Sequence, residues 1–393
     1  MAQSDIYIVA AARTAIGAFQ GALSDVPVQQ LGVAAIQGAL ARAEIDPKQV
    51  DETYMGNVLS AGVGQAPARQ AAIGAGLAHD VPATTVSKVC GSGLQSVILG
   101  AKAIRLGDAD VVVAGGMESM TRAPYLLLKA RAGYRMGNGE LIDSMVHDGL
   151  WDPYNDFHMG KAAELCAREH GIHREEQDEF AAESYRRAIA AQKEGRFAEE
   201  IVPVTIATRK GERVVDQDEE PGRVRFDKIT QLRPAFDKGG SVTAANASKI
   251  NDGAAAVLLA GEAAVRELDL KPLARIVGYG GHAQAPEWFT TAPAGAIATT
   301  LKRTGLRADQ IDLFEINEAF AVVCLACTKL AELDPQRINV RGGAVALGHP
   351  IGASGTRILT TLLHALHERA AKRGLATLCI GGGEALAIVV EAV

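Results

Sequence analysis

Aromatic residues are scarce in this chain of 393 residues, at 5% of the total. No apolar run reaches the roughly 18 residues that a membrane-spanning helix needs, which argues against a membrane partner. Blocks of lysine or arginine are missing too, and the net charge is −6. An acidic chain without basic clusters makes a poor nucleic-acid binder. Residues 1–12 are a short polar start followed by one apolar run, so no secretory leader is expected. Cysteine is sparse and odd in number: Cys90, Cys166, Cys324, Cys327 and Cys379. That set is no disulfide framework, and it fits a reducing, cytoplasmic location. Cys324 and Cys327 have the spacing of half a zinc site. They lie in an apolar helical stretch with no second Cys/His pair, so core packing is the expected role.

Glycine is abundant, at 42 residues, and apolar residues make up 48% of the chain against 22% charged. This mix fits a soluble globular protein with many close turns, and the length implies two or three domain-sized units. The chain also repeats itself. Residues 40–51 align without gaps with 301–312, 92–93 with 354–355, and 113–118 with 379–384. Matches in the same order indicate duplication, and the period is far too long for a solenoid. Apolar patterning predicts strands over 6–11, 52–58, 110–114, 274–279, 313–316 and 375–380. It predicts helices over 30–43, 93–106, 175–194, 294–303, 320–333 and 355–369. Alternating elements of these lengths imply a layered α/β architecture with two similar halves about a pseudo-twofold axis. The expected units are 1–119, completed by about 251–271, and 272–393. Residues 120–250 fit neither half and read as an inserted functional loop domain.

Three glycine-flanked residues carry the chemistry. Cys90 precedes Gly91-Ser92-Gly93 and a helix, whose N-terminal partial charge is expected to lower the thiol pKa. Cys379 ends an apolar strand and runs into Gly381-Gly382-Gly383, where free backbone N–H groups can hold an oxyanion. In the repeat it stands where the first copy has Val113, so packing does not demand sulfur there. His349 lies in Gly348-His349-Pro350-Ile351-Gly352, and imidazole is the usual partner of a cysteine nucleophile. Asn317 follows a strand end and reads equally well as a helix N-cap or as an oxyanion donor. Two thiols and an imidazole imply acyl transfer through a covalent thioester.

Cys-Gly-Ser-Gly at 90, Gly-Gly-Met-Glu-Ser at 115–119, Asn-Glu-Ala-Phe at 317, Gly-His-Pro-Ile-Gly at 348 and Cys-Ile-Gly-Gly-Gly at 379 together resemble the thiolases, and among them the biosynthetic acetyl-CoA acetyltransferases. The resemblance runs from about residue 5 to the C-terminus. It implies the duplicated layered fold (α-β-α-β-α) and a reversible, ping-pong condensation of two acetyl-CoA to acetoacetyl-CoA and CoA. Cys90 would carry the acetyl group, His349 would take its proton, and Cys379 would remove the α-proton of the second acetyl-CoA. Asn317, through a water, and His349 would form one oxyanion hole, and the N–H groups of Cys90 and Gly381 the other. His158 and Met159 would line the pantetheine tunnel, with Phe236 and Phe320 beside it. Ser248 would hydrogen-bond pantetheine, and Arg223 and Lys228 would face the nucleotide end, although both also read as a solvated charged loop.

A finer resemblance, to potassium-responsive members, implies a K+ site from Tyr185, the carbonyls of Ala244, Ala245 and Ala247, and Val345. Phe289 matches an aromatic position tied to 2-methyl-branched substrates. Lys249-Ile250 and Glu384-Ala385 depart from the usual pattern. No prosthetic group is implied, and the expected assembly is a homotetramer. The rivals are a broader-chain 3-ketoacyl-CoA thiolase, a decarboxylating ketosynthase, a non-catalytic acyl-CoA-binding protein on the same scaffold and a structural subunit of a β-oxidation complex. The ketosynthase typically uses two histidines, and Cys379 stands against it.

Overall fold

The computed structural model describes residues 5–209 and 211–393. Among the described residues, each half supplies four strands with the same connectivity. In the first half they are β1 (Ile6–Thr14), β2 (Glu52–Gly56), β4 (Val111–Ser119) and β5 (Asn251–Gly261), with β3 (Ala83–Val86) added at the edge. In the second they are β6 (Ala274–Ala283), β7 (Leu313–Ile316), β8 (Arg373–Ile380) and β9 (Glu384–Ala392). β2 runs parallel to β4, β4 antiparallel to β5, and β5 antiparallel to β1. β7, β8, β9 and β6 repeat this pattern strand for strand. The two sets meet where Tyr7 and Ile8 of β1 pair with Arg275 and Ala274 of β6, so the strands form one continuous sheet.

Three apolar cores stack across this sheet. Between the halves lie α2 (Ser92–Leu106) and α7 (Ser354–Glu368), equivalent helices of the two copies. Leu359, Leu362, Leu363 and Leu366 of α7 are fully buried, each worth about 1.5–3 kcal/mol on transfer from water. α1 (Val28–Ala43) covers the outer face of the first half. α5 (Ala292–Thr304) and α6 (Ala321–Leu330) cover the outer face of the second. These are the five layers expected, α-β-α-β-α.

β4 is longer than its apolar run. It passes straight through Gly115 and Gly116, because a Cβ at Gly116 would lie 2.1 Å from the Gly352 carbonyl oxygen and one at Gly115 2.3 Å from that of Ala255. The insert contributes α3 (Met159–Glu169) and α4 (Arg174–Lys193). It is pinned by Arg13 of β1, whose buried guanidinium donates to Glu200 at 2.6 Å and to both Asp218 oxygens at 2.7 and 2.9 Å. Glu200 also pairs with Arg341 of the second half at 3.4 Å. Among the described residues, no helix is long and apolar enough to cross a membrane.

Candidate active site

Cys90 stands on a strained turn. Val89 has φ +45°, a left-handed conformation costly for a β-branched residue. Ser92 holds the turn: its Oγ accepts from Lys88 N–H at 2.8 Å and donates to the Val89 carbonyl at 2.7 Å. A Cβ at Gly91 would strike the Ile380 side chain at 2.4 Å. The glycine therefore lets the cysteine turn press against the end of β8, where Cys379 sits.

His349 is brought over from the second half. Its N–H donates to Asn251 Oδ1 at 2.9 Å, and a Cβ at the preceding Gly348 (φ +111°) would overlap that asparagine. His349 Nε2 lies 3.3 Å from Cys90 Sγ, and Nδ1 lies 2.6 Å from Ser354 Oγ. Ser354 Oγ is also 2.9 Å from the Pro350 carbonyl, which can only accept. The serine proton therefore goes to Pro350, Nδ1 carries the imidazole proton, and the bare Nε2 faces the thiol. Burial, with the nearby Arg357 guanidinium, lowers the His349 pKa to about 3, so the imidazole is neutral and Nε2 is free to accept a proton as charge develops on the sulfur.

The Cys90 thiol differs from the sequence expectation. Burial raises it to about 11, outweighing the N–H groups of Gly381 and of Cys90 itself, which favour the thiolate. The helix begins only at Ser92, and its partial charge does not offset the desolvation. Those two N–H groups are the pair expected to form an oxyanion hole. Cys379 is fully buried, and its thiol is held well above the usual range by burial first and then by Cys90. Asn317 is not a helix N-cap, because α6 begins after Phe320. Its side chain is buried, with Nδ2 3.5 Å from His349 Nδ1, and Oδ1 has no hydrogen-bond partner among the described residues.

A largely apolar cavity of about 200 Å³ opens onto Cys90, His349 and Gly381. His158, Met159, Phe236, Ser248, Phe289 and Phe320 also line it. His158 caps α3 by accepting from Gly160 N–H at 3.0 Å and stacks on Phe236 with centroids 4.8 Å apart. Phe236 in turn meets Phe320 edge-on at 6.2 Å. The Ser248 loop is clamped to the Asn317 loop: Ser248 N–H donates to the Ala319 carbonyl at 3.0 Å, and Ala321 N–H to the Asn246 carbonyl at 2.8 Å.

Arg223 and Lys228 do not line this cavity. Both are exposed, with Arg223 against Glu219 at 3.2 Å and Lys228 against Gln231 at 3.3 Å. Ala244 is exposed, whereas Tyr185, Ala245, Ala247 and Val345 are buried. Cys324 and Cys327 are buried separately, bonding the Ile316 and Thr290 carbonyls at 3.4 and 3.5 Å.

Some supporting groups were not singled out from the sequence. Ser354 was seen only as part of the repeat, although it sets the tautomer. Glu118 is buried and accepts from Asn57 Nδ2 and from the N–H groups of Val58, Leu59 and Gly352, fastening the loop after His349 to the first half. Lys88 pairs with Glu384, which explains one departure from the pattern and ties the Cys90 turn to the glycine turn.

A duplicated five-layer fold with a cysteine and a histidine meeting from opposite halves defines a class. A family model described as the thiolase N-terminal domain matches residues 6–263, and one described as the thiolase C-terminal domain matches 270–392. The chain belongs to the thiolase family. It is similar to an acetyl-CoA acetyltransferase of Schizosaccharomyces pombe, 52% identical over 395 residues and covering 100% of both chains. The acetyl-CoA acetyltransferase of Pseudomonas aeruginosa is 53% identical over 386 residues, 98% of each chain. A relative from Gibberella zeae, named as a cytosolic acetyl-CoA acetyltransferase, is 52% identical over 388 residues, again 98% of each.

Proposed function

We propose that the protein is an acetyl-CoA C-acetyltransferase that joins two acetyl-CoA into acetoacetyl-CoA and CoA, reversibly, through an acetyl-Cys90 thioester. The observation that carries this reading is the 3.3 Å approach of His349 Nε2 to Cys90 Sγ. Gly381 N–H is directed at the same sulfur, and the buried Cys379 thiol, outside the residues that line the cavity, feels Cys90 electrostatically.

The proton balance follows from these environments. Cys90 Sγ attacks the acetyl carbonyl as His349 Nε2 takes its proton, and the carbon–sulfur bond to CoA breaks. A buried Cys379 thiol cannot wait as a thiolate, so it enters as an acid and protonates the departing CoA sulfur. The resulting Cys379 thiolate removes the α-proton of a second acetyl-CoA. The carbanion attacks acetyl-Cys90, forming the carbon–carbon bond and releasing the Cys90 thiolate, which recovers its proton from His349. No prosthetic group is needed to close this cycle. The N–H groups of Cys90 and Gly381 support one developing oxyanion, and protonated His349 with Asn317 supports the other. Each such donor is worth about 2.7–4 kcal/mol. Pantetheine runs past His158, Met159, Phe236 and Ser248, with Phe320 and Phe289 closing the acyl end.

Acetyl-CoA alone should leave an acetyl group on Cys90, read by peptide mass spectrometry, and steady-state kinetics should be ping-pong. An active enzyme that never acetylates Cys90 would overturn this reading. We assign the protein to the cytoplasm on its five free cysteines, and to a homotetramer on the family resemblance together with the exposed Tyr125, Leu128, Met136 and Leu141 of the insert.

A further inference from the structure

Lys249 lines the acyl cavity, yet the reaction above gives its charge no task. Its Nζ donates to the Ala247 carbonyl at 2.8 Å and to the Val345 carbonyl at 3.4 Å, and lies 5.7 Å from the centroid of the Tyr185 ring. Burial lowers the pKa of this ammonium to about 8, and the carboxylates of Glu220 and Glu318, on two further segments, act in the opposite sense to keep it charged. Two carbonyls, an aromatic face and two acidic groups are what a small cation would require. They are filled by a side chain of the chain itself.

The two carbonyls belong to functional segments. Ala247 immediately precedes Ser248 on the cavity wall, and Val345 lies in the short helix Ala344–Leu347 that leads into Gly348 and His349. Glu318, next to Asn317, accepts from Val345 N–H at 3.0 Å and so closes the same ring. An ammonium at this point holds the pantetheine wall and the histidine loop in one register. It also bears on the expected K+ site. Ala247, Val345 and Tyr185 were assigned to the ion, and Lys249 Nζ already engages them, so these residues do not fit a bound K+.

We propose that Lys249 is a positioning residue whose ammonium serves as a tethered monovalent cation, replacing K+ in joining the Ser248 loop to the His349 loop. The inference rests on the acetyl-transfer reading, and the two are separable by experiment. Acetoacetyl-CoA thiolysis is measured in K+, Na+ and tetramethylammonium buffers for the wild type and for Lys249→Ala. Wild-type rates should be the same in all three. Lys249→Ala should lose about tenfold or more in kcat/KM, chiefly through KM, as expected for losing a charged hydrogen bond. K+ or NH4+ should restore most of that loss, and tetramethylammonium, too large for the space, should restore none. In parallel, K+ should raise the melting temperature of Lys249→Ala but not of the wild type, and Tl+ should give an anomalous diffraction peak at the former Nζ position only in the variant.

Severalfold activation of the wild type by K+ would overturn the proposal, and this arm does not depend on the variant folding. An unimpaired variant, or an impaired one that no small cation rescues, would overturn it equally. If no protein shows thiolysis in any buffer, the acetyl-transfer reading fails, and the melting and Tl+ arms still decide the cation site.

Discussion

The proton on Ser354 Oγ decides what His349 can do. Donated to the Pro350 carbonyl, it leaves the imidazole Nε2 bare toward Cys90. Ser354→Ala removes that preference, and acetylation of Cys90 should slow by about tenfold or more, within the ~10²–10⁴ that general-base catalysis contributes. Rapid-quench measurement of acetyl-enzyme formation reads this directly, and an unchanged rate would show that the tautomer is fixed elsewhere. The thiol supplies a second prediction. With Cys90 raised to about 11 and His349 lowered to about 3, the free enzyme holds a neutral pair across the physiological range. Alkylation of Cys90 by iodoacetamide should therefore keep rising with pH through 9, with no plateau set by an inflection near neutrality. A plateau above pH 6 or 7 would mean a standing thiolate–imidazolium pair. Cys90, His349, Cys379 and Gly381 were legible in the sequence because glycine-rich turns mark them. Ser354 was not, because a serine that opens a helix looks like any other, and its role depends on a histidine five residues earlier folding back over it.

The turn at Cys90 and the turn at Gly381–Gly383 come from different halves, and the Lys88–Glu384 pair spans them. Both side chains are partly exposed, so the pair itself is worth about 1 kcal/mol or less. Its effect should appear in geometry rather than in stability. Glu384→Gln should leave the melting temperature nearly unchanged while lowering kcat, since Gly381 N–H and Cys90 N–H must stay aligned on one oxygen. Equal losses in kcat and stability would refute that division. Element types and centres were readable from apolar period, but ends were less so. The strand over 110–114 runs on to Ser119, with Gly116 admitting the Gly352 loop and Gly115 the close approach of Ala255. The helix expected from 320 begins at Ala321 with Phe320 at its N-cap, so Asn317 lies three residues before the cap, its side chain beside His349. The contacts of Lys249 were illegible for a related reason, since Val345 is remote in sequence and nothing local predicts that its carbonyl will face a lysine.

At the scale of the molecule, Glu200 joins three parts: the insert that carries it, Arg13 of the first half and Arg341 of the second. Replacing Arg13 by Met leaves Glu200 and Asp218 buried without their main counter-charge, and should cost about 3–5 kcal/mol, seen as a large fall in melting temperature. The sign with pH is also set. Burial opposes the charged form of Glu200, but Arg13, His364 and Arg341 together hold its folded pKa below the usual value. Its contribution is therefore present above the unfolded pKa and lost as pH falls through the folded one. Acid should loosen the insert in the wild type, and that acid-dependent component should shrink in the Arg13 variant. The duplication was visible in the sequence as matched segments, and the strand pairings repeat it. The joining of both halves into one sheet was not, because it rests on two residue pairs at β1 and β6.

The order of the strands along the chain has a consequence during synthesis. β5 sits between β1 and β4, yet it emerges from the ribosome only after the whole insert. Until then the nascent polypeptide carries two apolar strands with facing, unpaired edges, a state prone to sticking to its neighbours. The stretch of translation between residues 119 and 251 is thus the window in which a holding chaperone would have most to do.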